Sequence, residues 1–172
     1  MQPHIKLITP KSREYPSCLC DKRNRDFFPK ISSLGDVSIL KRPLLSFFCS
    51  VKCPGDLILR TYDLARALRD AGVTVISGFH SPIEKDCLDL LLRGSQPVVV
   101  CPARGIEKMR FSESVKVGVQ NGRVLVLSTF EENVKRPTAE TSRRRNQFVG
   151  ALATAVFVAY ADPELGGTPL KL

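Results

Sequence analysis

Three observations predict an α/β chain with a Rossmann-like, doubly wound, mostly parallel sheet of about five strands. Short apolar runs alternate with segments of helical periodicity from residue 43 onward. The run "LLSFF" (44–48) is continuously apolar, as in strands covered on both faces. Strands alternating with helices require right-handed crossovers, and those produce parallel neighbours. The core is therefore expected over residues 43–172, preceded by a short N-terminal extension, residues 1–42, packed on it.

Each element has its own warrant. In the extension, "EYPSCLCDKRNRDFFPK" is charged and broken by proline, so it reads as irregular. "ISSLGDVSILKRP" reads as a short strand, a turn at Gly35-Asp36 and a second short element. After the first core strand, Leu57, Thr61, Leu64, Ala65 and Leu68 share one helical face, with Asp56 as the expected N-cap and Gly72 as the C-cap. "VTVISG" (73–78) is the second core strand. In "HSPIEKDCLDLLLRG", Ser81 caps a helix, Pro82 occupies its first turn, and Glu84 reaches back to the cap amide. That helix ends near Gly94. "QPVVVCPA" (96–103) is the third strand, followed by a short helix within 112–119. Asn121-Gly122 then turns the chain into a fourth strand, "RVLVLST" (123–129). A helix over roughly 144–153 and a strand over 155–161 complete the series.

Composition bounds the function. A chain of 172 residues with 43% hydrophobic content forms one packed domain. A net charge of +9 favours an anionic partner: nucleic acid, a nucleotide or a membrane surface. The longest nearly apolar run, Gly150 to Ala161, falls short of the ~20 residues that span a bilayer. The N-terminus "MQPHIKLITPKSREYP" has no apolar core of a signal peptide, so a cytoplasmic location is expected. In a reducing compartment the six cysteines do not read as disulfides. Cys87 and Cys101 read as small core residues. Paired zinc knuckles are absent; a metal site from Cys18, Cys20, Cys49 and Cys53 is the alternative, and no metal or cofactor is expected.

In doubly wound sheets the ligand lies beyond the carboxyl ends of the strands. That rule selects the loops 49–56, 78–82, 102–110, 129–145 and 162–168, the last carrying Gly166-Gly167-Thr168. "CSVKCPGD" offers Ser50 and Lys52 to a phosphate at a helix start. It holds neither G-x-G-x-x-G nor a Walker A sequence, and an ordinary strand–helix loop reads the same way. "SGFHSPIE" offers Gly78 for close backbone approach, with His80 and Ser81 as donors. No nucleophile stands beside His80, so binding is expected rather than catalysis. "RRRNQFVGALA" sets Arg143, Arg144 and Arg145 before the last helix on the ligand side. Guanidinium groups bind phosphate bidentately, and Asn146 can fix a base, a ribose or a loop. The bland alternative is a solvated basic turn. Aromatic residues are 7% with no Trp, so base stacking would fall to Phe79, Phe130 or a partner chain.

Taken in order, these segments resemble the DprA/Smf family of DNA-processing proteins, whose Rossmann-like domain belongs to the wider SLOG superfamily. "REYPSCL" and "LGDVSILKRP" are similar to the family's lead-in. "VTVISGFHSPIEKDCLDLLL" resembles its Val-x-Val-Val-Ser-Gly segment and the helix after it, and "RRRNQFVGALATAVFVAYA" resembles its Arg-Asn segment. The resemblance implies single-stranded DNA bound in a basic pocket, help in loading a recombinase, and self-association. Residue by residue, Arg145-Asn146 match the Arg-Asn pair, Ser77-Gly78 the Ser-Gly, and Ser50 the serine of a Gly-Ser-Arg loop. Cys49 and Val51 stand where that loop has glycine and arginine, and His80-Ser81-Pro82 stand for Ala-Arg-Gly. These departures leave two alternatives: a SLOG-type pocket for a free nucleotide, as sensor or weak hydrolase, or a scaffold that kept the fold and lost the ligand.

Overall fold

All five expected core strands form, and they lie side by side in parallel. The computed structural model describes residues 4–162. Strands β3 (Leu44–Cys49), β4 (Thr74–Ser77), β5 (Val98–Val100), β6 (Val124–Ser128) and β7 (Ala155–Tyr160) make the parallel block, in the order β6-β5-β4-β3-β7. The expected count of about five strands is too low. The extension contributes β1 (Lys6–Ile8) and β2 (Ile31–Leu34), which pair antiparallel with each other and onto β6, giving seven strands. The extension is thus continuous with the sheet. Three-residue β1 carries too few apolar positions to announce itself in sequence.

The apolar runs are explained by burial on both faces. Along β4, β5 and β6, the residues Val75, Val98, Val100, Val124 and Val126 face α2 (Gly55–Asp70), α3 (Pro82–Leu92) and α4 (Glu113–Gln120). Ile76, Val99, Leu125 and Leu127 face the other way, toward Phe148, Val149 and Leu152 of α5 (Ala139–Leu152) and toward Leu19 and Phe28 of the extension. Helix α1 (Lys22–Phe27) lies in that extension.

Helix starts follow the capping chemistry with two corrections. Ser81 and Glu84 make the full capping box of α3, with Pro82 in the first turn. Helix α2 starts at Gly55, and its N-cap is Pro54, with no side-chain cap, in place of the expected Asp56. Helix α5 starts at Ala139 instead of 144, because Thr138 and Thr141 cap each other's backbone amides. The arginine run therefore lies inside the helix and not ahead of it.

From β3 the chain steps outward through β4, β5 and β6. Helix α5 then carries it back across the sheet to β7, on the other side of β3. The reversal of strand order thus falls between β3 and β7, where Ser50 N–H donates to Tyr160 O at 2.9 Å and Asp162 N–H to Ser50 Oγ at 3.0 Å. Among the described residues no helix is long and apolar enough to cross a membrane.

Candidate functional site

Helix α5 returns from β6 to β7, so it runs antiparallel to the strands and its first turns stand at their carboxyl edge. Consecutive helical residues point about 100° apart. Arg143, Arg144 and Arg145 consequently diverge, each into a different setting.

Arg145 turns inward and is only 6% exposed. Its Nη1 donates to Cys101 O at 3.4 Å and its Nε to Asn146 Oδ1 at 2.7 Å. A Cβ placed on Gly78 would fall on this guanidinium. The close approach that Gly78 permits is therefore made by the protein's own arginine. Arg144 is half-buried: its Nη2 donates to Phe27 O at 3.1 Å, and its guanidinium lies over the rings of Phe27 (5.5 Å) and Phe130 (5.9 Å). Arg143 is exposed.

Glu84 organises the opposite wall. It is 4% exposed. Its Oε1 accepts from Cys49 N–H at 3.0 Å, and its Oε2 from His80 N–H at 2.8 Å and Ser81 N–H at 3.4 Å. One carboxylate thus caps α3 and holds the ends of β3 and β4 together. Ser77 Oγ donates to Phe47 O at 2.6 Å, adding a second tie between those strands. Between Gly78 and His80, Phe79 takes a left-handed φ of 46° with its ring buried. A non-glycine residue held there costs energy that the surrounding contacts must offset. The result is a rigid loop presenting an exposed His80.

Burial lowers the pKa of His80, and the positive charges of Arg145 and Lys85 lower it further, against Glu84. His80 is therefore neutral at neutral pH. Burial also pulls the Arg145 guanidinium down, with Glu84 opposing the shift, yet an arginine keeps its proton. A fixed cation thus lies beneath the histidine loop, close enough for its field to shift the exposed imidazole.

Gly78, His80, Ser81, Arg145 and Asn146 come together as one cluster, while Ser50, next to Cys49 in the chain, is engaged by Tyr160 and Asp162 at the end of β7. Lys52 is exposed on the same β3–α2 loop as Ser50. Arg143 and Arg144 point elsewhere. Ser81 is buried, its Oγ accepting from Glu84 N–H at 3.2 Å. Phe79 and Phe130, the expected stacking rings, are both buried. Sequence reasoning missed Phe27, an exposed ring beside Arg144, whose signal was its place within the basic stretch 22–30.

The rest of the carboxyl edge is internally engaged. Arg104 Nη1 donates to Lys135 O at 3.2 Å, Ser128 Oγ donates to Arg104 O at 2.7 Å, and Lys108 pairs with Glu132. Two shallow hollows lie apart from the cluster. One of about 360 Å³ is bordered by Leu92, Val117 and Arg123. The other, of about 430 Å³, is bordered by Lys108, Glu131, Glu132, Asn133 and Lys135. All six cysteines are free thiols, with Cys87 and Cys101 fully buried. Among the described residues no three metal-ligating side chains gather. Gly166-Gly167-Thr168 lie outside the described residues.

Comparison with known proteins adds three findings. The family model for DNA recombination-mediator protein A matches residues 6–168. The fold is similar to DNA processing protein A (DprA) from Streptococcus pneumoniae, with a TM-score of 0.71 and 17% identity, over 90% of this chain and 53% of that one. It is also similar to DNA processing protein A from Helicobacter pylori, which was solved for its single-stranded DNA binding mode. There the TM-score is 0.66 and the identity 19%, over 90% of this chain and 68% of that one. This chain therefore spans about half the length of the pneumococcal structure. No curated protein matches it in sequence.

Proposed function

The chain belongs to the DNA recombination-mediator protein A family, and on that premise we propose that it binds single-stranded DNA across the carboxyl edge of its parallel strands. In this reading Ser50, Lys52, His80 and Arg143 meet the phosphates. Gly78, Ser81, Arg144, Arg145 and Asn146 form the frame that holds those groups and charges the surface. The supporting observation is the position of buried Arg145 at the carboxyl ends of β5 and β4, packed against the Cys101 carbonyl and against Gly78, which stands two residues before exposed His80. A fixed cation at that edge attracts a phosphate seated on the histidine loop. The net charge of +9 draws a polyanion to that surface.

Fluorescence anisotropy with a labelled oligothymidylate at two salt concentrations tests this. Each phosphate neutralised on a single strand steepens the log–log salt dependence by about 0.7, so the two cationic contacts, Lys52 and Arg143, give a slope of about −1.4. Absence of binding at low salt, or binding without a slope, overturns the reading. Affinity should rise with strand length. Equal affinity for a mononucleotide and a long strand would instead favour a free-nucleotide pocket.

A mediator of recombination acts together with a recombinase on the strand, so such a partner belongs to the same proposal, as do self-association and a cytoplasmic location. Co-elution with recombinase filaments tests the partner, light scattering of the purified protein the self-association, and cell fractionation the location.

A further inference from the structure

We propose that Phe27 is a nucleobase-stacking platform, which extends the bound strand from the histidine loop onto the N-terminal extension. This rests on the single-strand reading above. Stacking was expected of Phe79 or Phe130, but both rings are buried. Phe27 is 44% exposed, and its ring is held rather than free. Phe28 meets it edge-on at 4.9 Å and 88°, and Phe28 is itself anchored on Phe148 at 5.1 Å. The Arg144 guanidinium lies over Phe27 at 5.5 Å while bonding its carbonyl oxygen. An apolar ring fixed in this way has little orientational freedom left to lose when a base stacks on it.

Charge selects the partner. Arg23 stands one turn before Phe27, on the same face of α1; Lys22 and Arg25 are exposed on other faces of that helix, and Lys30, exposed beyond it, lies 4.0 Å from Glu131. A hydrophobic protein surface gains nothing from Arg23 and Arg144 beside the ring. A single strand satisfies both features, because it offers phosphate to the arginines and an unpaired π-face to the ring. The position fits too. Arg144, against Phe27, and Arg145, under the His80 loop, are successive residues of α5, so the two places lie one helical step apart around the same turn of that helix.

Two strands of equal length, one carrying bases and one abasic, are titrated against the wild-type chain, Phe27→Ala and Phe27→Leu. Alanine should weaken the base-bearing strand by at least about five-fold, the lower end for loss of one stacked base. It should leave the abasic strand and the salt slope unchanged. Leucine should recover little of the loss. An iodouracil-bearing strand should photocrosslink to a peptide containing Phe27. Equal weakening on both strands would mean that Phe27 only supports Arg144, and unchanged affinity for the base-bearing strand would mean no stacking. Either outcome overturns the platform while wild-type binding to the abasic strand keeps the phosphate reading intact. Failure of the wild-type chain to bind either strand removes both. Thermal melting confirms that the variants fold.

Discussion

Two strand–helix junctions at the carboxyl edge have the same topology and opposite construction. The β4–α3 junction, Ser77 to Glu84, is closed by its own side chains: a full capping box, a carboxylate accepting from three amides, and an arginine filling the space at Gly78. The neighbouring β3–α2 junction, Cys49 to Pro54, has no side-chain cap on its helix, and Val51 and Lys52 are exposed. Its beginning is fastened by Glu84, borrowed from the other junction. One loop is a rigid support for the other. Buried polar groups have thus been concentrated where geometry must be held, and the loop beside it is the more exposed of the two.

The strongest way to break this contrast is Glu84→Ala. It strands the amides of Cys49, His80 and Ser81 and leaves Arg145 without its buried counter-charge. A loss of about 3 kcal/mol or more in unfolding free energy is expected in urea denaturation. If the loss stays within about 0.5 kcal/mol, as at ordinary surface positions, the carboxylate is not the shared fastening.

Gly78→Ala comes next. The added methyl displaces the Arg145 guanidinium, and about 2 kcal/mol of destabilisation is expected. The sharper form is a double-mutant cycle. Against an Arg145→Ala background the same glycine change should cost under about 1 kcal/mol, since nothing remains to displace. Additive effects would show that glycine serves the backbone alone.

The smallest effect concerns pH. Folding lowers the pKa of His80, so below the ordinary imidazole pKa of about 6.5 the unfolded chain takes up the proton first. Native stability is therefore fully present above that pH and declines modestly as pH falls from it toward the folded pKa. Arg145→Lys keeps the charge and should preserve the low imidazole pKa, whereas Arg145→Ala should raise it. Proton NMR titration of the His80 imidazole reads this directly.

The sequence carried the rigid junction more clearly than the open one. Ser81-Pro82-Glu84 is a capping signature that local chemistry enforces, and the apolar runs of β3 to β6 mark strands buried on both faces, whereas β7 stays partly exposed. The start of α5 was hidden because its first turns, "AETSRRR", hold no apolar period, and because Thr-x-x-Thr is a weaker capping signal than Ser-x-x-Glu. Arg145 was misleading for a related reason. It occupies an inward-facing position of α5 where a reader of periodicity expects an aliphatic residue, whereas the sequence set it among the phosphate contacts ahead of the helix. Its fit against Gly78, 67 positions earlier in the chain, is tertiary and leaves no mark in either segment. The same holds for Phe27, whose pairing with Arg144 joins residues from opposite ends of the sequence.

The strand order carries a last consequence for how this molecule comes into being. Ser32 pairs with Ser128 at one border of the parallel block and Leu45 with Ala155 to add its last strand, so both joins link partners roughly a hundred residues apart. Such non-local closure is slow, because chain entropy is spent before the contacts return it. During synthesis the amino-terminal strands must wait, unpaired to the sheet, until β6 has emerged.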